Sequence, residues 1–284
     1  MHLMTYKSES GPRVGMARGD FLVPIPEPDM LTLIEAGEAR LAQIRSGTGF
    51  TRPLVTGNLL APILTPRRNI FCLGMNYAEH AAESLRAKGL PVKMPDVPVF
   101  FTKATTTVNG PYDDIPLDSA ITQQLDWEVE LAVVIGRKGK NIPRAKAMDY
   151  VFGYTVINDV SARDLQNAHG GQFFKGKSLD GAGPMGPHLV TKDEIPDPHK
   201  LALRCRVNGV LKQESTTADL IFDIPACIEW LSRGLTLLPG DIISTGTPSG
   251  VGFARTPPEF LRPGDVVECE IEGIGTIRNK VVAV

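Results

Sequence analysis

Three carboxylates define the chemistry this chain could carry. Glu128 and Glu130 stand two residues apart inside the apolar run WEVELAVVI, and Asp159 closes a second apolar run from Tyr150 to Val160. Both runs have the β-branched enrichment of buried strands. Alternation along a strand turns Glu128 and Glu130 to one face, and a neighbouring strand could bring Asp159 beside them. Three anions in one interior pocket repel each other and resist desolvation unless a cation compensates them. A hard divalent ion, Mg²⁺ or Mn²⁺, bound through oxygen with positions left for water and substrate, answers that need. The same letters also fit a commoner arrangement, with Glu-x-Glu on the solvent face of an antiparallel strand and an Asp opening a turn. Spacing by itself does not separate the two.

A second cluster lies in NIFCLGMNYAEHAAES, residues 69–84, an apolar strand and a Gly-containing turn followed by a short helix. His80 and Glu83 are three apart, so on a helix they share a face and could touch. A carboxylate beside a histidine orients the ring and stabilises its protonated form, which is how a general base for water is built. Such pairs are also a common surface pattern.

Downstream, Lys103 follows the aromatic pair of PVFFTK and suits either a solvated strand edge or, pointed inward, an anionic substrate. The Gly-dense stretch 161–187 interleaves Arg163, Gln166, Lys175 and Lys177. Glycine lets backbone approach a ligand closely, although a solvated loop has the same composition. His169 reads as a loop histidine, since the preferred ion seeks oxygen. STGTPSGVG offers backbone N–H groups and the Thr247 hydroxyl to a carboxylate, or is a tight crossover.

The elements that must position these groups are mostly strands. The 284 residues suit one large domain, or one large domain with a small one attached. Residues 1–65 read as a small N-terminal α+β domain. Val14, Met16 and Phe21–Val23 fall in short strands, and a helix over Met30–Arg45 has Asp29 as its N-cap and Gly47 and Gly49 at its end. APILTPRR at 61–68 reads as the linker, and 66–284 as the main domain. There the pattern predicts helices over 76–88 and 222–233 and a hairpin turned at Asn208-Gly209. It also predicts a strand entering the 245–252 loop and two closing strands around a Gly-x-Gly.

Composition excludes some classes of function. A net charge of −2 without a basic run gives no attraction to nucleic acid or to an anionic membrane. Cys72, Cys205, Cys227 and Cys269 are far apart in sequence and form no C-x-x-C pair, as in a reduced cytosolic protein. The first twenty residues contain Lys7, Glu9, Arg13 and Arg18 and no apolar leader core. No apolar run is long enough to span a bilayer. A soluble, cytoplasmic protein is expected.

With these pieces in view, residues 66–284 resemble the catalytic domain of the fumarylacetoacetate hydrolase family, and the N-terminal part resembles the small leading domain of its longer bacterial members. Six signatures occur in order: GMNYAEHAAE, FFTK, DWEVELAVVIG, NDVSARDLQ, GKSLDGAGPMGP and STGTPSGVG. The resemblance implies a mixed, mostly antiparallel β-sandwich roll with few helices, an α+β fold that is mostly β, and a homodimer. It implies Glu128, Glu130 and Asp159 as ligands of Mg²⁺ or Mn²⁺, and His80 with Glu83 as the pair that activates water. It implies Lys177 as a donor to a developing oxyanion. Lys103, Arg163, Gln166 and Thr247 would contact substrate.

The function this implies is an acylpyruvase-type hydrolase. It would cleave a C–C bond in a β-diketo acid such as fumarylpyruvate and release pyruvate, in aromatic or sugar-acid breakdown. The alternatives on the same scaffold are an oxaloacetate decarboxylase and a 2-hydroxyhepta-2,4-diene-1,7-dioate isomerase, because stabilising an enolate serves all three. A non-catalytic metal-dependent binding protein is a reading from another class, against which the retained dyad and Lys177 stand.

Overall fold

In the computed structural model, residues 1–47 and 51–284 are described. Gly49, expected to help end the first helix, lies outside them. The chain is mostly β. Its N-terminal part contains β1 (His2–Ser8), β2 (Gly11–Arg18) and β3 (Phe21–Pro24), then α1 (Met30–Ser46). Asp29 caps α1 by accepting from Thr32 N–H, and Gly47 follows its last residue, both as expected.

The body continues with β4 (Ile70–Gly74), α2 (Ala78–Ala87), β5 (Val99–Lys103), β6 (Val129–Ile135) and β7 (Val151–Asn158). Then come α3 (Arg163–Ala168), α4 (Phe174–Lys177), β8 (Gly183–Thr191), β9 (Ala202–Val207) and β10 (Val210–Thr216). It closes with α5 (Ile224–Ser232), β11 (Ile242–Ser244), β12 (Val266–Ile271) and β13 (Gly275–Ala283). The stretch 161–187, which reads equally as a loop, holds the two short helices α3 and α4. Strand β1 has no counterpart in the expected pattern.

The large sheet runs in the order β3-β2-β1-β8-β7-β6-β11-β4-β5, with only β11 and β4 parallel along this path. Strands β10, β9, β12 and β13 form the main part of a second sheet, and β9 and β10 turn at Asn208 and Gly209, both at positive φ. One face of β6 and β7, through Leu131, Val133, Tyr154 and Val156, packs on Leu203, Cys205, Cys269 and Ile277 of the second sheet. The other face, through Ala132, Val134 and Ile157, shares a core with Leu3, Val14 and, from α1, Leu33, Ile34 and Leu41. Every residue of β6 and β7 is therefore buried. A strand covered on both sides needs apolar residues throughout, which accounts for the near-continuous runs that carry the carboxylates.

All four cysteines are free and buried. No helix of the described residues is long and apolar enough to cross a membrane.

Candidate active site

Glu128, Glu130 and Asp159 meet at one end of the β6/β7 pair. Glu130 stands opposite Ile157 in the antiparallel register, and Asp159 N–H donates to Glu128 O at 2.9 Å. Glu128 and Glu130 share the face of Ala132 and Val134, and Asp159 that of Ile157, as the two-residue period requires. All three are at most 4% exposed, and one oxygen of each lies within 4.8 Å of the others. The solvated-face alternative is thereby excluded.

Buried cations compensate two of the three carboxylates. Lys177 Nζ lies 2.7 Å from both Glu128 Oε2 and Asp159 Oδ2. Arg163 Nη2 lies 2.6 Å from Glu128 Oε1, and Lys103 Nζ 2.8 Å from Asp159 Oδ1. Among the described residues Glu130 has no ion-pair partner. Its Oε2 instead accepts from the Ser244 hydroxyl and from Gly246 N–H, which leaves Oε1 uncommitted.

The carboxyl groups respond oppositely to this difference. Burial pushes Glu128 up, but Lys177 and Arg163 outweigh it and hold Glu128 down at about 2. Burial also pushes Glu130 up, and there Asp159 and Glu128 add to the rise, so it stands well above the usual carboxylate range. Burial opposes the charge on Lys177, yet Asp159 and Glu128 raise it above the ordinary lysine value.

Counted with Asp126, four buried carboxylates face three buried cations, Lys103, Arg163 and Lys177. Fully ionised, the cluster is anionic; its free donor is a carboxylate oxygen, and a hard divalent cation fits it.

Asp126 is the member that sequence reasoning missed. It accepts from Arg163 Nε at 2.8 Å and from the backbone N–H groups of Trp127, Gly252 and Phe253. It thus ties Arg163 to the loop after β11. The signal was present, since 126, 128 and 130 continue one period of two. Arg163 is otherwise engaged as well, because Nη1 donates to Gln166 Oε1 and the Phe253 ring lies 4.4 Å from its guanidinium carbon. Gln213 and Ser244 were also missed. Gln213 accepts from Val129 N–H and donates to Thr247 Oγ1, joining β6 to the loop.

His80 and Glu83 lie on α2 and do touch, with His80 Nδ1 2.9 Å from Glu83 Oε1. Both Glu83 oxygens also accept from Gly250 N–H at 3.0 Å. Gly250 has φ of +103°, and a Cβ there would meet Lys212 O at 2.1 Å, so only glycine turns the loop onto Glu83.

A cleft with a volume of about 60 Å³ joins these parts. Its walls include His80, Glu128, Glu130, Arg163, Gln166, Lys177 and Thr247. Room for several water-sized groups suits a small acid. The Thr247 hydroxyl donates to Val129 O at 2.9 Å. Lys103 does not line the cleft, since its ammonium is fully buried beneath it on Asp159 and Val160 O. His169 is exposed.

A mixed β-sandwich thus brings a buried carboxylate cluster, a histidine paired with a glutamate and the buried Lys177 to one small cleft. The chain belongs to the fumarylacetoacetate hydrolase family: residues 69–282 match the family described as fumarylacetoacetate (FAA) hydrolase C-terminal.

Among its relatives, the mitochondrial oxaloacetate tautomerase Fahd2a of Rattus norvegicus is 44% identical over 277 residues, 96% of this chain and 86% of that protein. The oxaloacetate tautomerase YisK of Bacillus subtilis is 51% identical over 223 residues, 78% of this chain and 72% of that one. A fumarylacetoacetate hydrolase from Exiguobacterium antarcticum superposes with a TM-score of 0.85 at 39% identity over the whole of both chains. A maleylpyruvate hydrolase from Sphingobium sp. SYK-6 does so at 0.81 and 29%, again over the whole of both.

Proposed function

We propose that this chain is a divalent-cation-dependent enzyme of small 2-oxo acids, and that its reaction is the keto–enol tautomerisation of oxaloacetate. The observation that carries the reading is that His80, oriented by Glu83, shares one small cleft with Lys177 and with Glu128 and Glu130, two members of the buried carboxylate triad. The tautomerases that align with this chain support the substrate.

Glu128, Glu130 and Asp159 would hold Mg²⁺ or Mn²⁺. Bound there, the ion supplies Lewis-acid polarisation of the carbonyl of a 2-oxo acid. Glu83 engages Nδ1 of His80 and leaves Nε2 as the free ring nitrogen. His80 takes a proton from C3 of the keto acid at that nitrogen and returns it to the C2 oxygen, and the enol form runs the same path backwards. Lys177 stabilises the negative charge that develops on that oxygen. Gln166, Arg163 and Thr247 hold the acid against the wall, while Lys103 acts from below by keeping Asp159 in place.

Hydrolysis of an acylpyruvate such as fumarylpyruvate is the second reading. The same histidine–glutamate pair can activate water, and the structurally similar maleylpyruvate hydrolase favours it. Oxaloacetate decarboxylation and 2-hydroxyhepta-2,4-diene-1,7-dioate isomerisation need the enolate stabilisation without the water. The reading includes a homodimer in the cytoplasm, and a monomeric mass by light scattering would count against the dimer.

The test is to strip the protein of metal and add oxaloacetate as its enol, with and without Mg²⁺ or Mn²⁺. Loss of enol absorbance is followed, and pyruvate, carbon dioxide and, from acylpyruvates, the companion acid are quantified separately. Metal-dependent acceleration of enol decay without pyruvate supports the tautomerase. Pyruvate with a companion acid from an acylpyruvate, and no effect on the enol, would replace it with the hydrolase. Carbon dioxide with pyruvate from oxaloacetate would make the chain a decarboxylase.

A further inference from the structure

Helix α2 presents more to the cleft than its histidine. His80, Ser84 and Lys88 are spaced by four and line the same cavity, as one face of a helix running into its C-cap would. Arg86, Lys93 and Arg255 lie in neighbouring segments, and none of them lines the cavity. Lys93 pairs instead with Asp96, and Arg255 donates to Lys212 O.

The other cations on the cleft wall already carry ion pairs with carboxylates of the protein. The Arg163 guanidinium is divided among Asp126, Glu128 and Gln166, and Lys177 is held between Glu128 and Asp159. Among the described residues, Lys88 has no ion-pair partner, and its ammonium is the uncommitted positive charge on that wall. Partial burial against the cleft wall, followed by the nearby charge of Arg163, lowers it from the ordinary lysine value. Two like charges lining one cleft favour an anion bound between them.

We propose that Lys88 binds the second carboxylate of the substrate, the one remote from the Glu128–Glu130–Asp159 cluster, and so selects dicarboxylic over monocarboxylic 2-oxo acids. The inference rests on the 2-oxo-acid reading above. It adds a specificity residue at the exposed mouth of the cleft. A charge-assisted contact of this kind, partly screened by solvent, is worth about tenfold in affinity.

The test compares two inert acids that share a carboxylate and a 2-hydroxyl and differ in the second carboxylate, malate and lactate. Their binding to the Mg²⁺-loaded full chain is measured by calorimetry for the wild type, Lys88→Met and Lys88→Arg. The expected result is that Lys88→Met weakens malate about tenfold and leaves lactate unchanged, while Lys88→Arg restores malate. Lys88→Met should also raise KM for oxaloacetate with little change in kcat, and added salt should narrow the malate–lactate gap in the wild type only.

Equal malate affinity in wild type and Lys88→Met, with malate bound by both, overturns the role of Lys88 and leaves the 2-oxo-acid reading standing. Failure of the wild type to bind malate, lactate or oxaloacetate with Mg²⁺ present overturns that reading, and this inference with it. The lysine is exposed at the end of its helix, so thermal melts of the variants should coincide with the wild type.

Discussion

Lys103 Nζ lies 2.8 Å from Asp159 Oδ1, and both side chains are fully buried. The two are 56 residues apart in sequence, at the end of β5 and just beyond β7. Removing one member of such a pair strands the other charge in the interior, at about 3–5 kcal/mol. Lys103→Met is expected to destabilise the metal-free protein by that order. Mg²⁺ should then raise its Tm more than it raises that of the wild type, because the ion takes over the compensation of Asp159. Thermal melts with and without Mg²⁺ decide the point, and equal increments in the two proteins would refute it.

Asp126 joins Arg163 to the backbone of residues 252 and 253. Asp126→Asn keeps the shape but removes the charge that Arg163 relies on. A loss of about 2–3 kcal/mol is expected, the range for a charged hydrogen bond. KM for the 2-oxo acid should rise as Arg163 and Gln166 lose their common anchor. Urea denaturation and steady-state kinetics measure both, and wild-type values in each would remove Asp126 from the site.

His80→Ala should lower kcat by about 10²–10⁴, the usual share of a general base, while leaving intact the rise in Tm that Mg²⁺ induces. Glu83→Gln should lower kcat less. It should also raise KM, because Glu83 holds Gly250 as well as the ring. Undiminished turnover in His80→Ala would take the proton transfer away from this histidine.

Away from the cleft, burial and then the neighbouring His2 ring push His188 down to about 4. The folded protein therefore keeps this ring neutral where the unfolded chain, titrating near 6.5, binds a proton. Stability from this group is present above about pH 6.5 and is lost as the pH falls toward 4, by at most about 3 kcal/mol. His188→Leu should flatten that part of the stability curve. Denaturant titrations between these limits that show the same slope in both proteins would contradict the assignment.

Much of the fold was legible in short-range pattern. The period of two in WEVELAVVI placed Glu128 and Glu130 on one face, Asp29 marked the start of α1, and Asn208-Gly209 turned the hairpin. Strand β1 escaped because HLMTYKS mixes polar and apolar residues without clean alternation, and because its partner β8 is far along the chain, with His2 opposite Val190 and Leu3 opposite Leu189. Helices α3 and α4 escaped because each is only a turn or so long and set among glycines, where propensity has little to sum over.

Side-chain types and spacing by themselves determined which groups could do chemistry here: a carboxylate pair on one strand face, a histidine and glutamate one helical turn apart, and an oxygen-rich donor set suited to Mg²⁺ or Mn²⁺. Only the tertiary structure decided which lysine faces what. Lys103 lies beneath the cluster on Asp159, Lys177 bridges Glu128 and Asp159, and Lys88 stands free at the mouth. The reason is that burial and pairing are set by strands and helices distant in sequence, whereas local spacing governs only the direction in which a side chain leaves its own element.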